Sequence, residues 1–342
     1  MRPVDLSDFD YRLPEELIAQ EPLADRAASR MLVVDRASGR FKDHHFRDLP
    51  SFLRAGDCLA LNDSRVFPSR LLGTKDGTGR RVEIFLLRAL DEDRLSWQAL
   101  VKPGKHLMPG ARVRFSDRLS AEVVSLGERG ARTVRFEAEG DFDTALHEAG
   151  HVPLPPYIRR PDRPEDRERY QTIYAAQSGS VAAPTAGLHF TPEVMDQCRA
   201  AGADFARLTL HVGLGTFQPL ASAVVEENHL HTEQFEISED AAARLRAAQR
   251  IVAVGTTSVR TLEAARLSGG FAPMRGETDI FIYPGFEFQA AGAMLTNFHL
   301  PQSSLLLLVC AFAGRDLMSD AYLHAVENRY RFFSYGDCML IL

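Results

Sequence analysis

Residues 179–191, GSVAAPTAGLHFT, end a run of almost uniformly small side chains with one titratable ring, His189. Small residues let backbone N–H groups approach a ligand closely, and glycine reaches dihedrals that other residues avoid. An imidazole changes charge near neutral pH and can take or deliver a proton. Thr191, Pro192 and Glu193 read as an N-cap, a first-turn proline and a first-turn acid. A helix is therefore predicted to start there, with His189 at a loop-to-helix junction. Thr185, Gly187 and Phe190 belong to the same candidate pocket. A tight packing loop without chemistry has the same composition, so this stretch alone decides nothing.

Further stretches have the same character. HVGLGTF, residues 211–217, follows a strand-like run and offers His211, Gly213, Gly215, Thr216 and Phe217. The apolar run 251–254 breaks at Gly255 and enters a helix through Thr256, Thr257 and Ser258, with Arg260 one turn on. A strand–turn–helix junction of this kind points backbone amides at an anion. TDIFIYPGF places Asp279 at the start of an apolar strand and Tyr283 in the turn at its end; TNFHLP adds His299. Several strand ends with small, polar or ionisable residues predict a pocket along one edge of an α/β sheet.

These residues need a scaffold, and the 342-residue chain has room for about two domains. Its hydrophobic (45%) and charged (25%) fractions are those of an ordinary globular protein. Residues 1–66 mix helix and strand signals, including a short helix from Leu13. Short strands cut by Gly and Pro turns follow at 70–74, 81–87, 95–101, 111–115, 120–125 and 132–137. That spacing predicts a small antiparallel barrel. From residue 152 strands and helices alternate again. The expected fold class is an α/β main domain, residues 1–66 with 152–342, interrupted by an inserted β-barrel domain over 67–151.

Composition also excludes. Cys58, Cys198, Cys310 and Cys338 form no CxxC pair, which argues against a zinc site and a secreted disulfide framework and fits a reducing cytoplasm. The pairs His44-His45 and His229-Leu230-His231 lack helical ligand spacing, so no metal is expected. The acidic N-terminus has no apolar signal core. The longest apolar run, 305–313, is too short for a membrane. The net charge of −6 argues against a general nucleic-acid coat but not against a local basic face. Residues 157–170, YIRRPDRPEDRERY, set five arginines against four acids. A solvated loop is one reading; the other takes Arg159 and Arg160 as phosphate contacts, joined by Asn62 and Arg65 at the end of the strand before the barrel. No dinucleotide-binding, Walker, GxSxG or HExxH pattern is present.

The blocks as a set resemble the S-adenosylmethionine:tRNA ribosyltransferase-isomerases of queuosine biosynthesis. The likeness begins at DFDYRLPEELIAQEPLADRAASRMLVVDR and LNDSRVFPSRLLG. It continues through YQTIYA, GSVAAPTAGLHFT, LHVGLGTFQP, GTTSVRTLE, TDIFIYPGF and LTNFHLPQSSLLLLVCAFAG to YRFFSYGDCMLIL. Departures at Gln218, Phe67-Pro68-Ser69 and Cys338 remove no ionisable group. The resemblance implies an enzyme that consumes S-adenosylmethionine as a ribosyl donor, with no separate cofactor. The acceptor implied is 7-aminomethyl-7-deazaguanine at the wobble position of tRNA. Epoxyqueuosine-tRNA, adenine and methionine are the implied products, and a monomer or loose oligomer, the monomer first, the implied form.

Such a reaction needs a neutral attacking amine and a base for the 5′-methylene beside the sulfonium. It also needs a hydrogen bond or proton for the departing adenine, and holders for the methionine carboxylate and ammonium. His189 is the first candidate for proton transfer and His211 the second. Asp279, with Asp337 as rival, could hold the sulfonium or the amine. Thr256, Thr257, Ser258 and Arg260 suit the carboxylate, and Phe190, Phe217 and Tyr283 suit stacking on adenine or the wobble base. Two other classes compete: an RNA-binding module without catalysis, and an enzyme acting on a small nucleoside without RNA. Thin aromatic content in residues 69–150 weighs against the first. Salt sensitivity of binding separates the second.

Overall fold

The computed structural model describes residues 4–213 and 219–342. Its largest element is a nine-stranded mixed sheet. In spatial order it runs Met274–Thr278, Glu233–Ile237, Asp204–Leu210, Asp57–Asn62, Arg250–Val254, Ala293–Asn297, Cys338–Ile341, Arg30–Asp35 and Arg40–His45. The four consecutive strands from Asp204–Leu210 to Ala293–Asn297 are mutually parallel. Strands buried on both faces carry continuous apolar runs. Asp57–Asn62, DCLALN, is buried at every position. Successive side chains point to opposite faces. Accordingly Cys58, Ala60, Ile251 and Ala253 join one core, with the helices Thr256–Leu267, Ser304–Ala313 and Arg315–Glu327. Leu59, Leu61, Val252 and Val254 join the other, with Phe46, Phe190 and the helix Pro192–Ala200.

The predicted helix start holds: Thr191 accepts the Val194 N–H, and Pro192 is the first helical residue. The predicted helix from Leu13 shrinks to one 3-10 turn, Glu15–Leu17. Tertiary pairing takes its backbone instead: Phe332 N–H donates to Leu17 O, and Ala19 N–H to Phe332 O. The strand expected to begin at Asp279 lies earlier in the chain. Met274–Thr278 pairs with Glu233–Ile237, and Asp279 follows its end. The Thr278 hydroxyl accepts the Ile280 N–H at 3.2 Å, which takes that donor out of the ladder where the strand was expected to run.

The second sheet closes on itself. Strands Arg70–Lys75, Arg80–Ala89, Ser96–Lys102, Arg132–Ala138, Leu119–Leu126 and Arg112–Arg114 pair in that order, and Arg70–Lys75 also pairs with Arg112–Arg114. This is the inserted six-stranded antiparallel barrel, within one or two residues of the strands read from turn signals. Closure removes its edges. The helix Phe142–Ala149 buries Phe142, Ala145 and Leu146 against the barrel interior. A short parallel ribbon, Ser64–Val66 with Gln177–Ser180, stands where the chain leaves the main sheet for the barrel. No described helix is long and apolar enough to cross a membrane.

Candidate active site

The chain passes from Asp57–Asn62 to Asp204–Leu210 on one side, then to Arg250–Val254 on the other. Such a reversal opens a crevice at the carboxyl ends of parallel strands. A cavity of about 430 Å³ lies there, of a size that suits a small molecule. Gly255–Thr257 and Asn297–His299 line it, at the carboxyl ends of two of those strands, and Val212 lines it beyond a third. Ala182, Ala183, Pro184, Thr185 and Ala186 give it a close-lying wall of mostly small residues. Tyr157 and Phe333 form an aromatic wall, their rings stacked at 4.6 Å, with the Tyr157 hydroxyl 2.6 Å from Ser334 Oγ.

Two helices begin at this cavity. Thr256–Leu267 starts with Thr256 and Thr257 in the lining, and Ser304–Ala313 with Ser304 and Leu305. The first N–H groups of a helix have no intrahelical acceptor and carry its positive end. Ser303 Oγ caps the second helix at Leu306 N, leaving the Ser304 and Leu305 amides outside that cap. Thr257 Oγ1 is buried without a partner. Asp10 is the single carboxylate in the described lining, which contains no lysine or arginine. The cavity thus offers amides to an anion and one carboxylate to a cation.

His299 stands in this lining and is held on several sides. Its Nε2 lies 2.8 Å from Thr296 Oγ1, its N–H donates to Tyr322 Oη at 3.0 Å, and its carbonyl accepts the Tyr11 hydroxyl. Burial pushes its imidazole from 6.5 down to about 3. His189 is buried behind the cavity, outside the described lining. Its Nδ1 is 2.9 Å from Ser29 Oγ and its ring lies 5.3 Å from that of Phe46. Burial pushes it down to about 4, assisted by Arg26 and Arg331, and its Nε2 is buried without a hydrogen-bond partner. Asn297 lines the cavity, its Nδ2 donating to the Phe333 carbonyl at 2.9 Å.

Both rings are neutral in the folded protein and protonate more readily when unfolded. A depressed imidazole gives stability that is full above the unfolded value and is lost as pH falls toward the folded one. Between pH 7 and pH 5 each ring should withdraw about 2 kcal/mol. Denaturant titrations of His189→Gln and His299→Gln at the two pH values should each show a loss smaller than the parent's by about that amount. An unchanged difference would mean that the rings are not buried in their neutral form.

The other expected site residues divide. Thr185, Thr256 and Thr257 line the cavity. Gly215, Thr216 and Phe217 lie outside the described residues. Gly187 owes its size to packing, because a Cβ there would stand 2.1 Å from the Tyr174 hydroxyl. Phe190 is a core ring, 5.0 Å from Phe46. His211 packs its ring over Gly179, and burial lowers its pKa. The Gly213 amide donates to Glu233 at 2.9 Å. Ser258 Oγ bonds the Val254 carbonyl, and Arg260 is ion-paired to Glu233. Asp279 is exposed at a sheet edge, and Tyr283 packs 5.1 Å from Phe281; neither reaches the lining. Asp337 is buried, accepting the Arg30 and Arg331 amides, and burial raises its pKa.

Among the expected RNA contacts, Asn62 is spent on the Leu210 and Ser64 backbone. Arg159 pairs with Glu15, and Arg160 with Asp166 and Glu21. Arg65 is exposed. The sequence reading named His299 without a role and passed over Asp10 and Asn297, which also line the cavity. Their signals were present in DFDYRLP and TNFHLP, but no local pattern told them from their neighbours. Among the described residues no group of three His, Cys, Asp or Glu side chains could hold a metal ion.

Comparison with known proteins adds an independent line. The profile of the family described as queuosine biosynthesis protein matches residues 6–341. An S-adenosylmethionine:tRNA ribosyltransferase-isomerase of Solibacter usitatus is 62% identical, covering 99% of this chain and 100% of the relative. One from Symbiobacterium thermophilum is 53% identical over 98% of this chain and 99% of the relative. The crystal structure of an S-adenosylmethionine tRNA ribosyltransferase from Thermotoga maritima aligns with a TM-score of 0.57 at 39% identity. That alignment covers 98% of this chain and 100% of the other.

Proposed function

The chain belongs to the queuosine biosynthesis family of S-adenosylmethionine:tRNA ribosyltransferase-isomerases, and we propose that its reaction takes place in the cavity at the carboxyl ends of the parallel strands. The enzyme transfers and isomerises the ribosyl moiety of S-adenosylmethionine onto tRNA, giving epoxyqueuosine. The acceptor is the aminomethyl group of 7-aminomethyl-7-deazaguanine at the wobble position, and adenine and methionine leave. One observation carries the placement: amides of two helix N-termini and a lone carboxylate meet in a cavity without lysine or arginine among its described lining. S-adenosylmethionine presents a carboxylate that suits the amides and a sulfonium that suits the lone carboxylate.

In this reading the Thr256 and Thr257 amides hold the methionine carboxylate. Asp10 faces the sulfonium and receives the proton of the adjacent 5′-methylene. His299 serves as a neutral hydrogen-bond partner for the departing adenine. A histidine held well below neutral pKa suits this electrophilic role better than that of a strong base. Thr296, donating to Nε2, would leave the proton on Nδ1. Thr185 lies along the wall, and the Phe333 carbonyl positions Asn297. Residues 67–151 make up the inserted unit, and 1–66 with 152–342 the catalytic one. The expected form is a monomer, and four free buried cysteines suit a reducing cytoplasm.

Incubation with S-adenosylmethionine and tRNA carrying the aminomethyl precursor should release adenine and methionine in equal amounts. Stoichiometric S-adenosylhomocysteine would instead identify a methyltransferase and overturn the reading.

A further inference from the structure

We propose that the groove between the barrel and the main sheet is the RNA-docking face, where Arg65 and Arg167 contact phosphates flanking the nucleotide under reaction. The inference rests on the function proposed above, and it gives the barrel a part in it. The groove encloses about 290 Å³ and is lined from both sides of the junction: Arg65, Gln171 and Ser178 from the main domain, Phe67, Arg94 and His147 from the barrel and its helix. Arg167 also lines it, with a single carboxylate, Asp143.

Asp143 is taken by Arg94, at 2.8 Å. Arg167 donates to the carbonyls of His147 and Gly150, at 2.7 and 2.8 Å. Those acceptors fix the guanidinium but leave its charge uncompensated. Arg65 is exposed and has no ion-pair partner among the described residues. Elsewhere in the arginine-rich segment Arg159 is matched by Glu15, Arg160 by Asp166 and Arg163 by Glu21, while Arg169 turns inward to the Leu23 carbonyl. In a chain of net charge −6 this groove is a local excess of positive charge, the footprint a phosphate backbone requires.

Chain continuity ties the groove to the cavity. Arg65 is paired with Ser178 in the short parallel ribbon. From Ser178, in the groove, the chain reaches Ala182, in the cavity wall, within four residues. From Val152 it reaches Pro156 in the same way. Four extended residues span at most about 14 Å. A strand seated on Arg65 and Arg167 therefore brings its neighbouring nucleotide to the cavity mouth.

The test measures binding of precursor tRNA and of S-adenosylmethionine separately, using the full chain. Arg65→Glu removes the free charge, and Ser178→Glu puts a carboxylate opposite it; both positions are exposed. Each should weaken tRNA binding roughly tenfold or more, with S-adenosylmethionine affinity unchanged. Arg65→Ala should reduce the slope of log affinity against log salt by about 0.7 to 0.9, the loss of one phosphate contact. Arg275→Ala, at an exposed edge strand far along the sheet order, should change neither. Parent-like tRNA affinity and salt slope in both groove variants overturn the proposal. A photoreactive side chain at Ser178 gives a second arm: crosslinks to the anticodon loop support it, and crosslinks confined to the rest of the tRNA overturn it. A parent protein that binds S-adenosylmethionine but shows no salt-dependent tRNA binding would instead defeat the functional reading itself.

Discussion

Asp10→Asn lowers kcat/KM for S-adenosylmethionine by about 100-fold or more and leaves the folded protein intact. The substitution keeps shape and removes one negative charge. Asp10 is exposed at the cavity, and its Oδ1 accepts the Tyr11 N–H at 2.9 Å, a bond that an asparagine oxygen also accepts. Little of the fold depends on its charge. The donor's sulfonium does, because no other described carboxylate lines the cavity. A unit-charge pair 4 Å apart at an effective dielectric of 20 is worth about 4 kcal/mol, and about 1.4 kcal/mol is tenfold. Two orders of magnitude is therefore a conservative expectation. The loss should persist for a deaminated donor analogue, which keeps the sulfonium. Adenine release gives the kinetics, and a thermal melt certifies the fold. Parent-like kinetics would remove Asp10 from the reaction.

His299→Gln lowers kcat by about 10² while changing KM for S-adenosylmethionine little. Loss of a positioned proton or hydrogen-bond partner in the transition state has that scale. Glutamine retains a group able to bond Thr296, so the local framework survives, but it cannot present a ring nitrogen to adenine at the same place. The split between kcat and KM separates this role from mere packing, which would shift both or lower the melting temperature. His189→Gln should cost less, since that ring lies behind Asn297 and outside the described lining. The reverse order, a severe His189 defect beside a near-parent His299 enzyme, would move the adenine contact to the buried ring and refute the assignment made for His299.

Much of the architecture was written in local patterns. Apolar runs such as IVAV, turn signals between short strands, and Thr191 before Pro192 and Glu193 are short-range features. They dictate strand, barrel and helix start with little help from distant residues. The order of whole blocks also carried the family. Where a distant partner competes for the backbone, local signals lose: Phe332 takes the chain at Leu17 and Ala19, and the predicted helix becomes a single turn.

The site was legible only as a set of blocks. Small residues serve ligand approach and close packing equally, and the sequence does not say which. Thr185 and Ala186 line the cavity, whereas Gly187, next in the chain, makes room for the Tyr174 hydroxyl. Arginines pose the same ambiguity: Arg260 meets Glu233, and Arg65 meets no carboxylate among the described residues. Asp10, Thr257 and His299 are far apart in sequence and share a cavity because the strand order brings their segments to one edge. Side-chain direction and charge compensation are properties of neighbours in space. Periodicity and capping fixed the elements, while the tertiary fold alone chose which side chains face the donor and which hold the protein together.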